Sequence, residues 1–320
     1  MTNINQVFMK HINHPTSLAF YKFEKTIEEE IRTYWAIISM AHFSSIYLTS
    51  QPKEKYIDEI GGKYEPFTYI SIPIAEFLKT QDIYLNNIRE NTLVNIITAF
   101  EVYLNDIYTR MIYLNPSIIE KSEISLTAQQ IAPHLISKDT RLWFAKEVTK
   151  QRIRNKKHDE MIRIIAQGAL CDIKSIRDKL DQWMKFTYIR NSIVHVGRRV
   201  SEDLQKVWSQ RFICGQKLNI QNKDIMYAAT TALTIAKHLE PRINETCIKD
   251  NDAKLLIREV FIREGYSNQT IYKQIIQKVL SYCEIPENFI GKVITAQKND
   301  NGATCEEFDF DTIYRFIIQE

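Results

Sequence analysis

Glycine and proline are scarce in this chain, since each occurs only eight times in 320 residues. Both residues interrupt regular secondary structure, and turn-rich β architectures use many of them. Their scarcity therefore favours long helices. Hydrophobic residues make up 44% of the chain and charged residues 25%, as is typical of a globular protein with a buried core. We expect an all-α fold, either as two or three domains or as one large helical body.

Cysteine is also sparse, and its spacing matches no known framework. None of the five cysteines forms a C-x-x-C pair; they are Cys171, Cys214, Cys247, Cys283 and Cys305. The pattern predicts reduced thiols, with neither a zinc knuckle nor a disulfide framework. His11 and His14 are closely spaced but have no third ligand near them in the sequence. We expect no metal and no cofactor.

Long hydrophobic runs are absent. The longest apolar stretch, residues 36–48, is too short to cross a bilayer and is interrupted by polar residues such as His42 and Ser44. Residues 1–14 lack the apolar core of a signal peptide. These features predict a soluble cytoplasmic protein that does not associate with membranes.

An excess of one charge is missing as well, because the net charge is only +3. That value alone does not indicate a nucleic-acid-binding protein. The distribution is more informative: residues 150–157 contain no acid and five basic residues, namely Lys150, Arg152, Arg154, Lys156 and Lys157. Such a run is either a solvated face or a surface for a phosphate backbone. Residues 185–211 are also locally basic and include Arg198 and Arg199.

Apolar residues spaced by three and four predict most of the chain as helix. The predicted helices cover residues 17–50, 75–114 (with an interruption near 80–82), 126–135, 139–167, 171–203 and 224–243, and residues 51–73 are irregular. In the second helix Glu101 lies beside the apolar stripe, between Ile97 and Leu104. A carboxylate there is either a partly buried acid that needs a partner or a surface residue at the edge of the stripe.

Residues 190–195, Arg-Asn-Ser-Ile-Val-His, carry the strongest chemical signal. Taking Ile189 as the start of an apolar face, a helix places Asn191 about 200°, His195 about 240° and Arg198 about 180° around the axis. These polar groups would converge opposite the core, with Arg190 beside them. A histidine that changes charge near neutral pH, next to fixed guanidinium charge, suits acid–base chemistry on a phosphate. A solvated helix face is the alternative.

Residues 246–320 read as a separate small unit. The spacing over 253–281 predicts two helices around Gly265 and Ser267, as in a helix-turn-helix, although any tight αα-hairpin has the same pattern. The segments on either side of residues 299–302 suggest a small β-hairpin.

The segment 98–104, Thr-Ala-Phe-Glu-Val-Tyr-Leu, followed about 90 residues later by Arg190-Asn191 and His195, resembles the HEPN superfamily of helical RNA-acting domains. The family motif is R-x4–6-H, commonly with Asn, Asp or His after the Arg. The resemblance covers about residues 80–245. It implies a HEPN-like helical domain at 80–245. The N-terminal helical extension at 1–79 and the small α or α+β unit at 246–320 are predicted from the sequence pattern and lie outside the resemblance.

The resemblance also implies an activity: a metal-independent endoribonuclease of the toxin, abortive-infection or anti-phage type, acting as a homodimer on RNA. Arg190, Asn191 and His195 would be catalytic, and Glu101 would support Arg190. Arg198, Arg199 and the basic run at 150–157 would bind the RNA backbone. An antitoxin or a defence-system partner protein is implied as well.

Two other functions stay open, since a fold does not fix a function. One is a non-catalytic helical module that binds a partner or regulates it, such as one component of a toxin–antitoxin pair. The other is a DNA-binding regulator that acts through residues 253–281.

Overall fold

A computed structural model describes residues 17–62, 64, 67–119, 124–134 and 140–248. Of these residues 78% are helical and none forms a strand, so the all-α prediction is confirmed for this part of the chain. The predicted helix-turn-helix and hairpin of the C-terminal unit lie outside the described residues.

Nine α-helices are described, and short 3-10 turns lie between several of them. They are α1 (Leu18–Thr49), α2 (Ile57–Gly61), α3 (Ile74–Leu114), α4 (Ala128–Ile131), α5 (Thr140–Arg152), α6 (His158–Gly168), α7 (Arg177–His195), α8 (Glu202–Val207) and α9 (Asn222–Ile243). A π-helical turn, Asn244–Ile248, continues from α9. No described helix is long and apolar enough to cross a membrane.

The long helices follow their apolar stripes. In α1 six residues at spacings of three and four are all buried: Phe20, Phe23, Ile27, Ile31, Tyr34 and Ile38. Ser17 caps this helix, because its hydroxyl oxygen accepts a hydrogen bond from the backbone N–H of Phe20 at 3.0 Å. Helix α3 is continuous, so the predicted interruption near residues 80–82 is wrong.

Two other predicted helices end earlier than their patterns suggested. The segment predicted as one helix over 139–167 is divided into α5 and α6 by a turn at 153–157. Ile153 remains fully buried at this turn. The apolar pattern therefore continues where the helix is interrupted, which is why the sequence suggested a single helix. The predicted helix at 171–203 is α7 alone, followed by a turn and the separate helix α8.

The chain divides into two compact units. One contains residues 1–21, 103–174 and 237–320, and the other contains residues 22–102 and 175–236. The sequence-based domain boundaries at 79/80 and 245/246 stay predictions, although residues 79 and 80 both lie within α3.

In the first unit a buried carboxylate joins three separate segments. Glu240 on α9 is 3% exposed. It accepts hydrogen bonds from the Ser17 backbone N–H and hydroxyl, each at 2.9 Å, and from the Tyr103 hydroxyl at 2.9 Å. Asn244 donates a further bond at 3.1 Å. Because both carboxylate oxygens have donors, the buried acid is compensated and fixes the start of α1 against α9.

In the second unit aromatic side chains form the core that supports α7. Trp183 is fully buried and packs edge-on against Phe100 of α3, with ring centroids 4.8 Å apart. Phe100 also packs against Phe23 of α1, with ring centroids 5.6 Å apart. Three helices therefore meet around one aromatic cluster, which holds the inner face of α7 in place.

Candidate active site at the end of helix α7

The Arg-Asn-x-x-x-His motif occupies the last turns of α7, and His195 is the final residue of that helix. Asn191 and His195 are exposed and Arg190 is half-buried. The Arg190 guanidinium donates a hydrogen bond from Nη1 to Oδ1 of Asn191 at 3.2 Å. The two side chains are thus joined on one polar surface, whereas Ile189 and Ile193 are buried on the opposite side.

The helix ends at His195 because the backbone turns left-handed directly after it. Gly197 has a φ of 62° and Arg198 a φ of 64°. The carbonyl oxygen of Ser192 accepts the backbone N–H groups of Val196 at 3.3 Å and of Arg198 at 3.2 Å, which closes the last turn. Glycine adopts this conformation at no steric cost, but arginine does not.

The early end of α7 corrects two expectations. The spacing of Val196 and Val200 from Ile189 predicts that both continue its helical face, but they do not: Val196 is 41% exposed, and Val200 is buried beyond the turn. Arg198 does not lie on the helix, so its predicted angular position beside Asn191 and His195 is wrong. Gly197 permits the left-handed turn that ends the helix within an apolar pattern that would otherwise fit another turn.

Arg198 instead faces a buried acid that the sequence analysis missed. Glu90 of α3 is 0% exposed, and its Oε2 lies 3.3 Å from Nε of Arg198. The same guanidinium donates from Nη1 to Oδ1 of Asn87. Oε1 of Glu90 accepts a hydrogen bond from Asn86 at 2.7 Å. Glu90 precedes Leu93 of the apolar stripe by three residues, and this spacing was the available signal for a buried acid.

The backbone that follows this turn pairs with the segment around Leu218, and Asn86 holds that segment in place. The backbone N–H of Leu218 donates to the carbonyl of Arg198 at 3.0 Å. Asn86 donates to the carbonyl of Leu218 at 3.4 Å and accepts the backbone N–H of Ile220 at 3.1 Å. Asn86 and Glu90 therefore anchor both sides of the loop that follows the motif.

The pKa of Glu90 provides a test of this buried site. Burial raises the pKa of its carboxyl above the ordinary value of 4.5, and the charge of Arg198 opposes that shift. The folded chain then holds the proton more tightly than the unfolded chain, so the protonated form contributes stability at low pH that is lost as the pH rises through the folded pKa. We expect the free energy of unfolding of the wild type to fall relative to Glu90→Gln as the pH rises above 4.5. Urea denaturation at a series of pH values measures the difference, and a gap in the opposite direction contradicts the assignment.

The other predicted site residues have contacts of their own. Glu101 is half-buried on α3 and has interaction partners, and its support of Arg190 stays a prediction. Arg199 is exposed and donates to the carbonyl oxygen of Gly215 at 2.9 Å. Its role in RNA binding, like that of Arg198, stays a prediction.

The basic run at 150–157 lies in the first unit, at the end of α5 and the turn before α6. Lys150 pairs with Glu147 at 3.6 Å and Lys156 with Glu160 at 2.6 Å, so nearby acids compensate part of the run. Arg154 and Lys157 are exposed. Arg152 lines a cavity of about 350 Å³ together with Tyr108 and Gln167. Its part in RNA binding, and that of the rest of the run, stays a prediction.

The exposed surface around the motif also contains apolar side chains. Val194 and Val196, on either side of His195, are 49% and 41% exposed. Farther along α7 the side chains at the helical spacing of Asn191 and His195 are half-buried; they are Leu180, Met184 and Tyr188. Exposed and half-buried apolar side chains thus adjoin the motif on α7.

No group of three or more His, Cys, Asp or Glu side chains is arranged to hold a metal ion within the part of the chain that the structure describes. Comparison with known proteins found no match to a family model, to a curated protein or to a solved structure. The resemblance to the HEPN superfamily stays a prediction from the sequence.

Proposed function

We propose that this protein is a metal-independent endoribonuclease of the HEPN type, with Arg190, Asn191 and His195 as its catalytic residues. The observation that carries the proposal is the joined polar surface at the end of α7. The exposed imidazole of His195 lies there, together with the side-chain amide of Asn191, which is hydrogen-bonded to Arg190. The opposite face of the helix is buried. Exposure matters because a nucleic-acid strand must reach the imidazole.

RNA supplies its own nucleophile in the 2′-hydroxyl. In the proposed reaction a histidine removes the proton of this hydroxyl while its oxygen attacks the adjacent phosphorus. The bond from phosphorus to the 5′-oxygen breaks, and a protonated histidine donates a proton to that leaving oxygen. The products are a 2′,3′-cyclic phosphate and a 5′-hydroxyl end. Arg190 stabilises the additional negative charge of the phosphorane, and Asn191 keeps the guanidinium in position.

Electrostatics explains why several arginines are needed here. The C-terminal end of a helix carries partial negative charge, so the end of α7 by itself disfavours a phosphate. Arg190 and Arg199 supply positive charge close to His195 in the sequence. Arg198 also supplies positive charge, but the negative charge of Glu90 partly offsets the charge of this arginine.

One prediction separates this chemistry from metal-assisted hydrolysis. We expect purified protein to cleave single-stranded RNA at an unchanged rate in excess EDTA, because a histidine and the 2′-hydroxyl provide the proton transfer and the nucleophile. RNA with 2′-deoxy substitution at the cleaved position should be resistant. End analysis by mass spectrometry should show the cyclic phosphate. Activity that returns only when a divalent ion is added contradicts the proposed mechanism.

Assembly as a homodimer is part of the proposal. Cleavage needs a proton acceptor and a proton donor, and each α7 carries one histidine. A two-fold axis beside His195 brings a second imidazole and a second Arg190 to the same phosphate. The apolar side chains next to the motif and along α7 provide the surface for such a contact.

A substitution on this surface tests the dimer. We expect the wild type to sediment as a dimer and Met184→Glu to sediment as a monomer with greatly reduced cleavage, because a charge would be buried at the contact. Thr230→Glu, at an exposed position of α9, is the matched control and should leave both properties unchanged. A wild-type monomer that cleaves RNA contradicts the two-chain site, although a one-chain nuclease would survive that result.

A second candidate function is a non-catalytic module that binds a partner protein. The specific observation is an exposed apolar surface on α1, where Met40, Phe43, Ile46 and Tyr47 are 55–74% exposed. Their spacing of three and four residues gives one continuous apolar face, of the kind that binds another protein. An antitoxin or a defence-system component is the partner that we propose for it.

Expression in a bacterial host separates the two candidates. If the chain is a ribonuclease toxin of the cytoplasm, wild-type expression stops growth and His195→Ala does not. If it is only a binding module, both forms have the same effect on growth.

A further inference from the structure

We propose that Glu90 and Asn87 are positioning residues that hold Arg198, and through it the turn that fixes the end of α7 and the orientation of His195. This inference rests on the proposed ribonuclease function, but its structural part can be tested without RNA. None of these three residues belongs to the Arg-Asn-x-x-x-His motif.

The first argument is the backbone of Arg198. Its φ of 64° is a conformation that an arginine adopts only at a steric cost, and the preceding Gly197 already provides a left-handed residue. A glycine or an asparagine would serve better at position 198 if only the turn mattered. The side chain must therefore supply an interaction that offsets the strain.

The second argument is the nature of that interaction. Glu90 is 0% exposed, and its Oε2 accepts no well-aligned hydrogen bond from the described residues. The charge of Arg198, 3.3 Å away, is what compensates this oxygen. A buried carboxylate without that compensation is strongly unfavourable, so the Arg198 side chain is held to α3 and restrains the backbone of residues 196–199.

The third argument links this pair to the motif. The backbone N–H of Arg198 donates to the carbonyl of Ser192, one turn inside α7, at 3.2 Å. The Ser192 side chain is fully buried, and its hydroxyl donates a hydrogen bond at 3.0 Å to the hydroxyl of Ser201, which lies beyond the turn. His195 lies between these fixed points, so the position of its backbone depends on the Glu90–Arg198 pair.

The experiment compares Glu90→Gln, Arg198→Gly and the double variant with two controls. Glutamine retains an acceptor for Asn86 but removes the charge, and glycine at position 198 relieves the backbone while it removes the guanidinium. Glu202→Gln and Lys206→Ala are the controls, since both residues are exposed, pair only weakly on α8 and lie in the same unit. Circular dichroism and urea unfolding establish which variants fold.

The readout without RNA is the ring resonance of His195 in histidine-labelled protein, assigned with His195→Ala. We expect both single variants to shift or broaden this resonance and both controls to leave it in place. With RNA, kcat should fall at least about tenfold in each single variant, and in Glu90→Gln, which keeps the arginine, KM should change less than about threefold. The double variant should be no worse than the poorer single variant, because both substitutions break one pair.

An unchanged His195 resonance in folded Glu90→Gln and Arg198→Gly overturns the inference, and so do losses in kcat that multiply in the double variant. If the wild type cleaves no RNA but the resonance still shifts, the positioning pair stands and the proposed function fails. If Glu90→Gln does not fold, Arg198→Gly and Arg198→Lys decide the question through the same resonance, with recovery expected for lysine only in part.

Discussion

Replacing His195 with alanine is expected to reduce the rate of RNA cleavage by at least about a thousandfold, in the upper part of the range for loss of a general acid–base group. In the proposed dimer the substitution removes both the proton acceptor and the proton donor from each site. His195 is exposed at the end of α7, so its loss opens no cavity and the protein should unfold at an unchanged urea concentration. His42→Ala, an exposed histidine on α1, is the control and should retain full activity.

Arg190→Ala should reduce cleavage to a similar extent, because fixed charge at the phosphorane is worth several kcal/mol and no neutral side chain replaces it. Arg177→Ala, at the exposed start of the same helix, is the matched control. The assay is cleavage of a labelled single-stranded RNA under single-turnover conditions. Retention of more than about a tenth of wild-type activity by His195→Ala would remove His195 from the mechanism, and loss of stability in the same variant would reassign it to the fold.

The long helices were predicted well because their burial follows a simple period. The predicted limits of α1, α3 and α9 differ from the structure by at most two residues at each end. Each has a long apolar stripe, which consists of large side chains in α1 and includes four buried alanines in α9. In such segments tertiary packing and local periodicity favour the same conformation, so the sequence alone is enough.

The end of α7 was predicted less well because two patterns conflict there. Val196 and Val200 continue the spacing of Ile189 and Ile193, which favours more helix. Gly197 favours a stop, and the structure shows that the stop prevails. What stabilises the turn is the contact of Arg198 with Glu90, more than 100 residues earlier in the sequence, and no local pattern reveals a partner at that distance.

A second acid of α3, Glu90, is fully buried near the motif and was not anticipated from the sequence. Glu101, whose support of Arg190 stays a prediction, lies at the edge of the apolar stripe, whereas Glu90 lies in line with it. Helical spacing places Glu90 one turn before Leu93, and the structure shows both side chains fully buried. A charged residue within an apolar stripe is therefore the better signal for a buried pair than one at its edge.

The largest effect on stability is expected for Trp183→Ala. Trp183 is fully buried on the inner face of α7, packs edge-on against Phe100 at 4.8 Å and lies 6.5 Å from Phe186. Removing the indole leaves a cavity among rigid helices that cannot collapse into it, and such changes cost about 3–5 kcal/mol of the free energy of unfolding. Because this cluster holds α7 in place, we also expect RNA cleavage to fall at temperatures where the variant is still largely folded.

Trp143→Ala is the matched control, since Trp143 is half-buried on α5 and its ring stacks on His134 with centroids 4.2 Å apart. Its loss should cost about 1–2 kcal/mol, because much of the indole is already in contact with water. Urea denaturation followed by circular dichroism measures both variants, and the two units make it necessary to check for a single transition. Equal losses for the two tryptophans would mean that the cluster around Trp183 does not carry the stability of the second unit. The support of α7 would then have to come from the polar contacts at its end, where Glu90 and Arg198 lie.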